Sequence, residues 1–246
     1  MTDQIYFDGD YSTWNEAEKN CEKGAVSNVL DSVLAATLKI QKGESIEHGV
    51  FSKRQRFNPH LISVLSLAAV KNGGSLDVLD FGGSLGISYL ESRDYLRDVR
   101  ALSWSVVELH VIVEAGKKHF QTDELAFYES LDKYLSDHKP NVVIASGVLQ
   151  YLPDPWSVID RLLGIGAQYV LIARTGTVAS EKDVLSIQRV PERIYLRDHP
   201  AWWLSEPKLL SRIKRAGYEC VNTFEDGYKY SLQNADVSMK GFICRI

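Results

Sequence analysis

The chain has 246 residues, 45% of them hydrophobic and 24% charged, with a formal net charge of −4. This length suits one α/β domain with a modest extension rather than two full domains, and the composition excludes a disordered chain. The negative charge, with no run of like charges, gives no basic stripe to follow a phosphate backbone, so nucleic acid is not an expected partner.

The N-terminus lacks a basic stretch followed by an apolar segment, and nowhere do about 18 apolar residues run together, so a cytoplasmic protein without an integral membrane segment is predicted. Cys21, Cys220 and Cys244 form no CxxC or Cys/His cluster. They are expected to be reduced, with no metal site assigned. Cys220 and Cys244 fall in two segments that can be neighbouring strands.

The first 74 residues read as helical. Thr13-Trp14-Asn15-Glu16 fits a capping box that starts a short helix. Val26, Val29, Leu30, Val33, Leu34 and Leu38 then recur at three- and four-residue spacing, and Lys42-Gly43 ends that helix. Asn58-Pro59 opens another, whose apolar stripe is Leu61, Ile62, Leu65, Ala68 and Ala69, and Asn72-Gly73-Gly74 closes it.

From Ser75 the period changes. Short apolar runs predict strands at 75–81, 102–108, 125–128, 141–146 and 168–174, separated by helices near 85–97, 111–120, 130–136 and 156–164. A last helix follows Ser205-Glu206-Pro207, and two strands near 217–223 and 240–246 complete a seven-stranded set. The final connection is too short for a crossover, so the last strand should be antiparallel. The predicted class is a doubly wound α/β sheet over 75–246 with an N-terminal helical extension over 1–74.

Val78-Leu79-Asp80-Phe81-Gly82-Gly83-Ser84-Leu85-Gly86 follows a buried strand and opens a helix. Glycine lets the backbone come close to a ligand and adopt positive φ, as a nucleotide cradle requires. A dinucleotide fingerprint would need glycines at the first, third and sixth positions, where this chain has Gly82, Ser84 and Ile87, so NAD is disfavoured. Gly82-Gly83-Ser84-Leu85-Gly86 also fits a G-x-S-x-G nucleophile elbow, with Asp154 or Asp160 and then His199 in hydrolase order. That elbow, however, belongs deep in a sheet, after several strands, and the residues before Ser75 read as helices.

The segment resembles the first motif of class I S-adenosylmethionine-dependent methyltransferases, with Asp80, Gly82, Ser84 and Gly86 in the acidic and small-residue positions. Ser84 replaces the usual middle glycine, which a negative φ would accommodate. Trp104-Ser105-Val106-Val107-Glu108 ends the next strand in a carboxylate roughly 20 residues after the turn, where Rossmann-like folds grip ribose hydroxyls. Ala145-Ser146-Gly147 and Gln150-Tyr151-Leu152-Pro153-Asp154-Pro155 resemble the fourth-strand motif of the same class, although many relatives carry histidines where this chain has Gln150 and Tyr151. The expected cofactor is S-adenosyl-L-methionine, bound by Asp80, Gly82, Gly83, Ser84, Gly86, Glu108, Leu109, Ser146, Gly147 and Gln150.

The whole chain, through Glu114-Ala115-Gly116 and Pro200-Ala201-Trp202-Trp203, also looks like methyltransferases encoded with surface-polysaccharide genes. That resemblance implies O-methylation of a saccharide or its conjugate, with another small molecule as the rival acceptor. Methyl transfer is an in-line displacement in which alignment does most of the work. Should a base be needed, His110, Tyr151, Glu192 and His199 are the candidates. The stretch from 175 to 204 is too long for an ordinary connection and carries Arg174, Arg189, Glu192, Arg193, Tyr195, Arg197, Asp198 and His199 at or within it, a mixture suited to an anionic acceptor. Trp202, Trp203, Tyr6, Phe7, Tyr11 and Trp14 offer rings for sugar faces. An inactive cofactor-binding scaffold and an interaction module built on the N-terminal helices are the other classes this sequence allows.

Overall fold

The computed structural model describes residues 5–22, 26–44, 58–191, 197–227, 230–232 and 235–246, with 26–28 as backbone only. Glu192, Arg193 and Tyr195 lie outside the described residues. In chain order the elements begin with β1 (Tyr6–Asp8), α1 (Trp14–Lys19), α2 (Val26–Gln41), α3 (Pro59–Lys71), β2 (Ser75–Phe81) and α4 (Ile87–Ser92). A 3₁₀ turn (Arg93–Leu96), β3 (Ala101–Val107), α5 (His110–His119), β4 (Leu125–Tyr128), α6 (Leu131–Leu135) and β5 (Val142–Ser146) follow. A second 3₁₀ turn (Leu149–Tyr151) and α7 (Pro155–Gly164) lead to β6 (Tyr169–Val178), β7 (Val184–Arg189), β8 (His199–Ser205), α8 (Glu206–Arg215), β9 (Glu219–Glu225) and β10 (Val237–Arg245).

Helix starts follow their side chains. Thr13 accepts the Glu16 amide, and the Glu16 carboxylate reaches back to the Ser12 amide, one residue earlier than a standard capping box. Asn58, Ser130, Asp154 and Ser205 cap α3, α6, α7 and α8 in the same way, and Pro59 and Pro155 occupy first-turn positions whose missing N–H costs nothing.

The seven expected strands are present. β4, β3, β2, β5 and β6 lie side by side and parallel, and β10 runs antiparallel to both β6 and β9. Alternation along the strands sends Leu76, Val78, Trp104, Val106, Val142 and Ile144 to one face, beneath Leu61, Val64, Leu65 and Ala68 of α3 and Val113 of α5. Val33, Leu34 and Leu38 of α2 pack on the same core. The other face buries Leu79, Val107, Val143 and Ala145 against Ile159, Leu162 and Leu163 of α7 and Leu209 and Ile213 of α8. Helices on both faces are what a parallel sheet requires, because each face is apolar. Cys220 and Cys244 are partners in the β9–β10 ladder, and both thiols are free.

Three further strands were not expected, and among the described residues the sheet has ten. β6 extends past Ala173 to Val178, and there β8 becomes its parallel neighbour through Thr177↔Leu204 and Val178↔Ser205. β7 pairs antiparallel with β8, and β1 pairs antiparallel with β7. Among its described residues, the stretch from 175 to 204 is therefore mostly sheet. Pro200 within β8 and the charged residues before it hide that strand from a sequence reading. Trp203 is 1% exposed, donates its indole N–H to Ser186 Oγ at 3.0 Å and meets the Phe7 ring edge-on at 4.8 Å, so it is core rather than a sugar platform. Trp202 stacks on Trp14. No helix among the described residues is long and apolar enough to cross a membrane.

Arg189 holds the N-terminal strand to this extension. Its guanidinium meets Asp8 at 3.1 Å, Asp198 at 2.6 Å and the Asn20 carbonyl at 3.0 Å, while Asp198 also accepts the amides of Glu22 and Val190. Arg189 and Asp198 are thus structural, which corrects their assignment to acceptor binding. Asp198 is 8% exposed, so removing its cation strands a buried charge. Arg189→Ala should cost about 3 kcal/mol, at the low end of the range for breaking a buried pair because Asp8 is partly solvated. Limited proteolysis should then cut near residue 10 well before wild type. An unchanged digestion pattern and unchanged denaturation midpoint would contradict this role.

Candidate functional site

In an open parallel sheet the strand ends, not the strands, meet ligands, and β2 delivers the glycine turn between the ends of β3 and β5. The turn continues the ladder for one more bond, from the Gly82 amide to the Val107 carbonyl at 2.9 Å. It then passes through Gly82 at φ 70°, Ser84 at φ 54° and Gly86 at φ 78° into α4. Ser84 therefore takes the left-handed conformation, against the expectation of a negative φ. The sequence departs from glycine here but the backbone does not. A β-carbon on Gly82 would lie 2.4 Å from Val148 Cγ2, so protein already fills the space expected to be left for a ligand.

Glu108 joins the turn to β3. Its carboxylate accepts the Ser84 amide at 3.3 Å and the Leu109 amide at 2.8 Å. Burial still outweighs these two bonds and pushes the Glu108 carboxyl above its ordinary range. Leu109, beside it, is 70% exposed although apolar. A desolvated acceptor next to an uncovered apolar side chain suits a ligand with hydroxyl donors and a flat apolar part.

Asp80 lies beneath the turn and not in the open. It is 1% exposed, accepts the Trp104 indole N–H at 3.3 Å, and a β-carbon on Gly83 would fall 2.5 Å from its Cγ. Gly83 is glycine because the carboxylate occupies that space. Trp104 was not expected to belong to the site, and no local signal marks it, since only strand pairing brings it to Asp80.

The expected bases divide into two groups. His110 begins α5 at the outer, β3–β4 side, where its Nδ1 meets Glu129 at 3.1 Å in solvent. Tyr151 and His199 come together on the other side of the turn, with ring centroids 6.1 Å apart. Burial, with help from the Arg197 charge, drives the His199 pKa down to about 4, so the imidazole is neutral at physiological pH. Burial raises the Tyr151 phenol. Ser146 ends β5 and Gly147 follows it, with the Gly147 amide on the Ala173 carbonyl at 2.9 Å. Gln150 donates to the Arg174 carbonyl at 3.0 Å. Gln188, which sequence reasoning missed, faces His199 across the β7–β8 ladder.

A hydrolase triad does not form among these residues. Asp154 caps α7, Asp160 pairs with Arg212, and Asp198 is taken by Arg189. The Ser84 turn follows the first parallel strand of the sheet, not a central late one.

The chain's fold matches solved structures of methyltransferases. It aligns with an S-adenosylmethionine-dependent methyltransferase from Methanosarcina mazei over 77% of this chain and 97% of that one, at TM-score 0.53 and 14% identity. It aligns with magnesium protoporphyrin IX methyltransferase from Synechocystis, solved with S-adenosylmethionine, over 91% and 99%, at TM-score 0.52 and 14% identity. It also aligns with the Burkholderia thailandensis 1,6-didemethyltoxoflavin N1-methyltransferase, solved with its acceptor and S-adenosylhomocysteine, over 100% and 96%, at TM-score 0.51 and 12% identity. No family profile and no curated protein sequence matches the chain. The fold is accordingly the Rossmann-like one these enzymes share.

The left-handed Ser84 makes a test of the turn. Ser84→Gly should match or exceed wild-type stability by up to about 1 kcal/mol, because glycine accepts this φ freely while costing some unfolded-chain entropy. Ser84→Val should lose about 2 kcal/mol, since β-branched residues resist positive φ. Equal urea midpoints for the two variants would contradict the turn geometry.

Proposed function

We propose that this protein is an S-adenosylmethionine-dependent methyltransferase acting on a small molecule. The observation that carries the reading is Glu108, a desolvated carboxylate bonded to the amide of the glycine turn at the carboxyl end of β3. Methyltransferase folds at low identity support the class, and the donor set supports the cofactor. In this reading residues 75–246 form the cofactor-binding domain and 1–74 an N-terminal extension.

Glu108 accepts the ribose hydroxyls with the lone pairs left over from Ser84 and Leu109. Leu109 supplies apolar cover for the base. The backbone of Gly82, Gly83, Ser84 and Gly86 forms the wall, Ser146 and Gly147 border it at the end of β5, and Asp80 stiffens it from below through Trp104. S-adenosylmethionine, when bound, supplies an electrophilic methyl group on a sulfonium. The protein's part is alignment, worth about 7–11 kcal/mol in favourable cases. In this reading neutral His199 receives the acceptor proton, the Tyr151 phenol, kept protonated by burial, donates a hydrogen bond, and His110 stands on the opposite side of the turn. The saccharide acceptor implied by the resemblance to polysaccharide-locus methyltransferases loses Trp203 as a platform, so the acceptor is proposed at the level of a small molecule.

Titration calorimetry with S-adenosylhomocysteine tests the cofactor, and conversion of S-adenosylmethionine to S-adenosylhomocysteine distinguishes an enzyme from a scaffold. Wild type should bind, and Glu108→Ala should bind more weakly by about 1.5–3 kcal/mol, the usual worth of hydrogen bonds to a charged group. Only the ionised carboxylate accepts both hydroxyls. Because its pKa lies above the ordinary glutamate value, affinity should decline on acidification at a higher pH than an unperturbed glutamate would give. A folded wild type that ignores S-adenosylhomocysteine would sink the proposal, as would a Glu108→Ala protein that binds it equally well.

A further inference from the structure

Among the described residues β9 pairs with β10 alone, so its other edge is open to solvent. The ladder runs through Phe242↔Thr223 and Ile243↔Asn222 and then slips by one, leaving Val221 over and setting Cys244 against Cys220. Without this β-bulge Cys244 would oppose Val221, so the slip is what brings the two thiols together. Both side chains lie on one face of the pair, in the core with Leu163, Ala167 and Tyr218. Residues opposed across an antiparallel ladder have Cα atoms about 4.5–5.5 Å apart, inside the span of about 4.4–6.8 Å that a disulfide bridges.

The two thiols are not equivalent. Cys244 is fully buried, whereas Cys220 is half-buried on the open strand. The Cys220 sulfur lies 3.5 Å from the Asn222 carbonyl and 3.6 Å from the Thr223 hydroxyl. A hydrogen bond from the Cys244 thiol, helped by Thr223 and the Asn222 backbone, outweighs burial and lowers the Cys220 pKa to about 6. The same bond, with burial, pushes Cys244 up and keeps it protonated. Glu206, whose charge opposes ionisation of Cys220, is itself paired with Lys240 at 2.6 Å. Cys21 provides a contrast within the chain: burial and then the Asp198 charge raise its thiol, which donates to the Ala17 carbonyl at 3.4 Å. A thiolate with access to solvent beside a protonated partner is the arrangement from which thiol–disulfide exchange starts.

We propose that Cys220 and Cys244 are a redox pair, in which Cys220 is the site where a low-molecular-weight disulfide adds and Cys244 is the thiol that resolves the adduct. The Cys220 thiolate attacks one sulfur of the small disulfide, forming a mixed disulfide and releasing one small thiolate. Cys244 then attacks the Cys220 sulfur, the second small thiolate leaves, and it takes up the Cys244 proton. Two protein thiols are oxidised to one disulfide between β9 and β10, and the small disulfide is reduced to two thiols. This modification site is independent of the methyltransferase reading.

The test incubates the full, reduced chain with glutathione disulfide under native conditions, traps remaining thiols with N-ethylmaleimide, and follows intact mass and disulfide-linked peptides with time. Wild type should lose two hydrogens and yield a Cys220–Cys244 peptide pair, and dithiothreitol should reverse both changes. Cys244→Ser should stop at one glutathione on Cys220. Cys220→Ser should take up glutathione at least tenfold more slowly than Cys244→Ser, and Cys21 should react at least tenfold more slowly than Cys220 in every protein. Because wild type alone reports the cross-link, the outcome does not depend on how well either variant folds. The pair is overturned if wild type forms no Cys220–Cys244 link, if the link needs denaturant or joins two chains, or if Cys21 reacts as fast as Cys220.

Discussion

β6 is ten residues long and β5 is five, and that mismatch organises the molecule. A strand with β10 along its entire length cannot leave its other edge bare past Ala173, because unpaired backbone groups in a buried strand are costly. β8 takes the vacated edge, β7 covers β8, and β1 covers β7. The chain must also diverge from β5 where the neighbours change. That divergence brings Gly147, Gln150, Tyr151, Arg174 and His199 to one end of the sheet, next to the glycine turn.

The two sides of the glycine turn are built on different electrostatics. On the β3 side, two carboxylates sit close to one turn, but one is structural and the other is available. Asp80 is enclosed by Trp104 and Gly83, whereas Glu108 has amide bonds on one side and Leu109, largely bare, on the other. On the β6 side, a neutral imidazole and a raised phenol lie together, with the Arg197 charge close enough to help lower the His199 pKa.

The N-terminal strand matters to the site only through the extension. Arg189 links β1, the segment after α1 and the turn that precedes His199, so the position of His199 depends on an ion pair formed across most of the chain. Phe7 and Trp203 reinforce the same junction by edge-on ring contact. Among the charged residues read from the sequence as suited to an anionic acceptor, Arg189 and Asp198 bind the fold together.

The sequence by itself determined the local structure and the place of the glycine turn. Period-two and period-3.6 patterns from Ser75 onward gave the parallel core and the antiparallel last strand. Asn58-Pro59 and Ser205-Glu206-Pro207 located helix starts within a residue, and the strand pattern put Glu108 at the end of β3, beside the turn. These features are local, carried by propensity and capping within a few residues. Only the tertiary structure decided the rest, because it turns on partners far apart in the chain. β8 is a strand because β6 outruns β5, in spite of Pro200. Ser84 is left-handed because Glu108 holds its amide, Asp80 is buried because Trp104 covers it, and Trp203 is core because Phe7 and Ser186 meet it. Arg174 adopts a conformation fit for glycine because three strands fix its neighbours, and no pattern in the sequence around it announces that constraint.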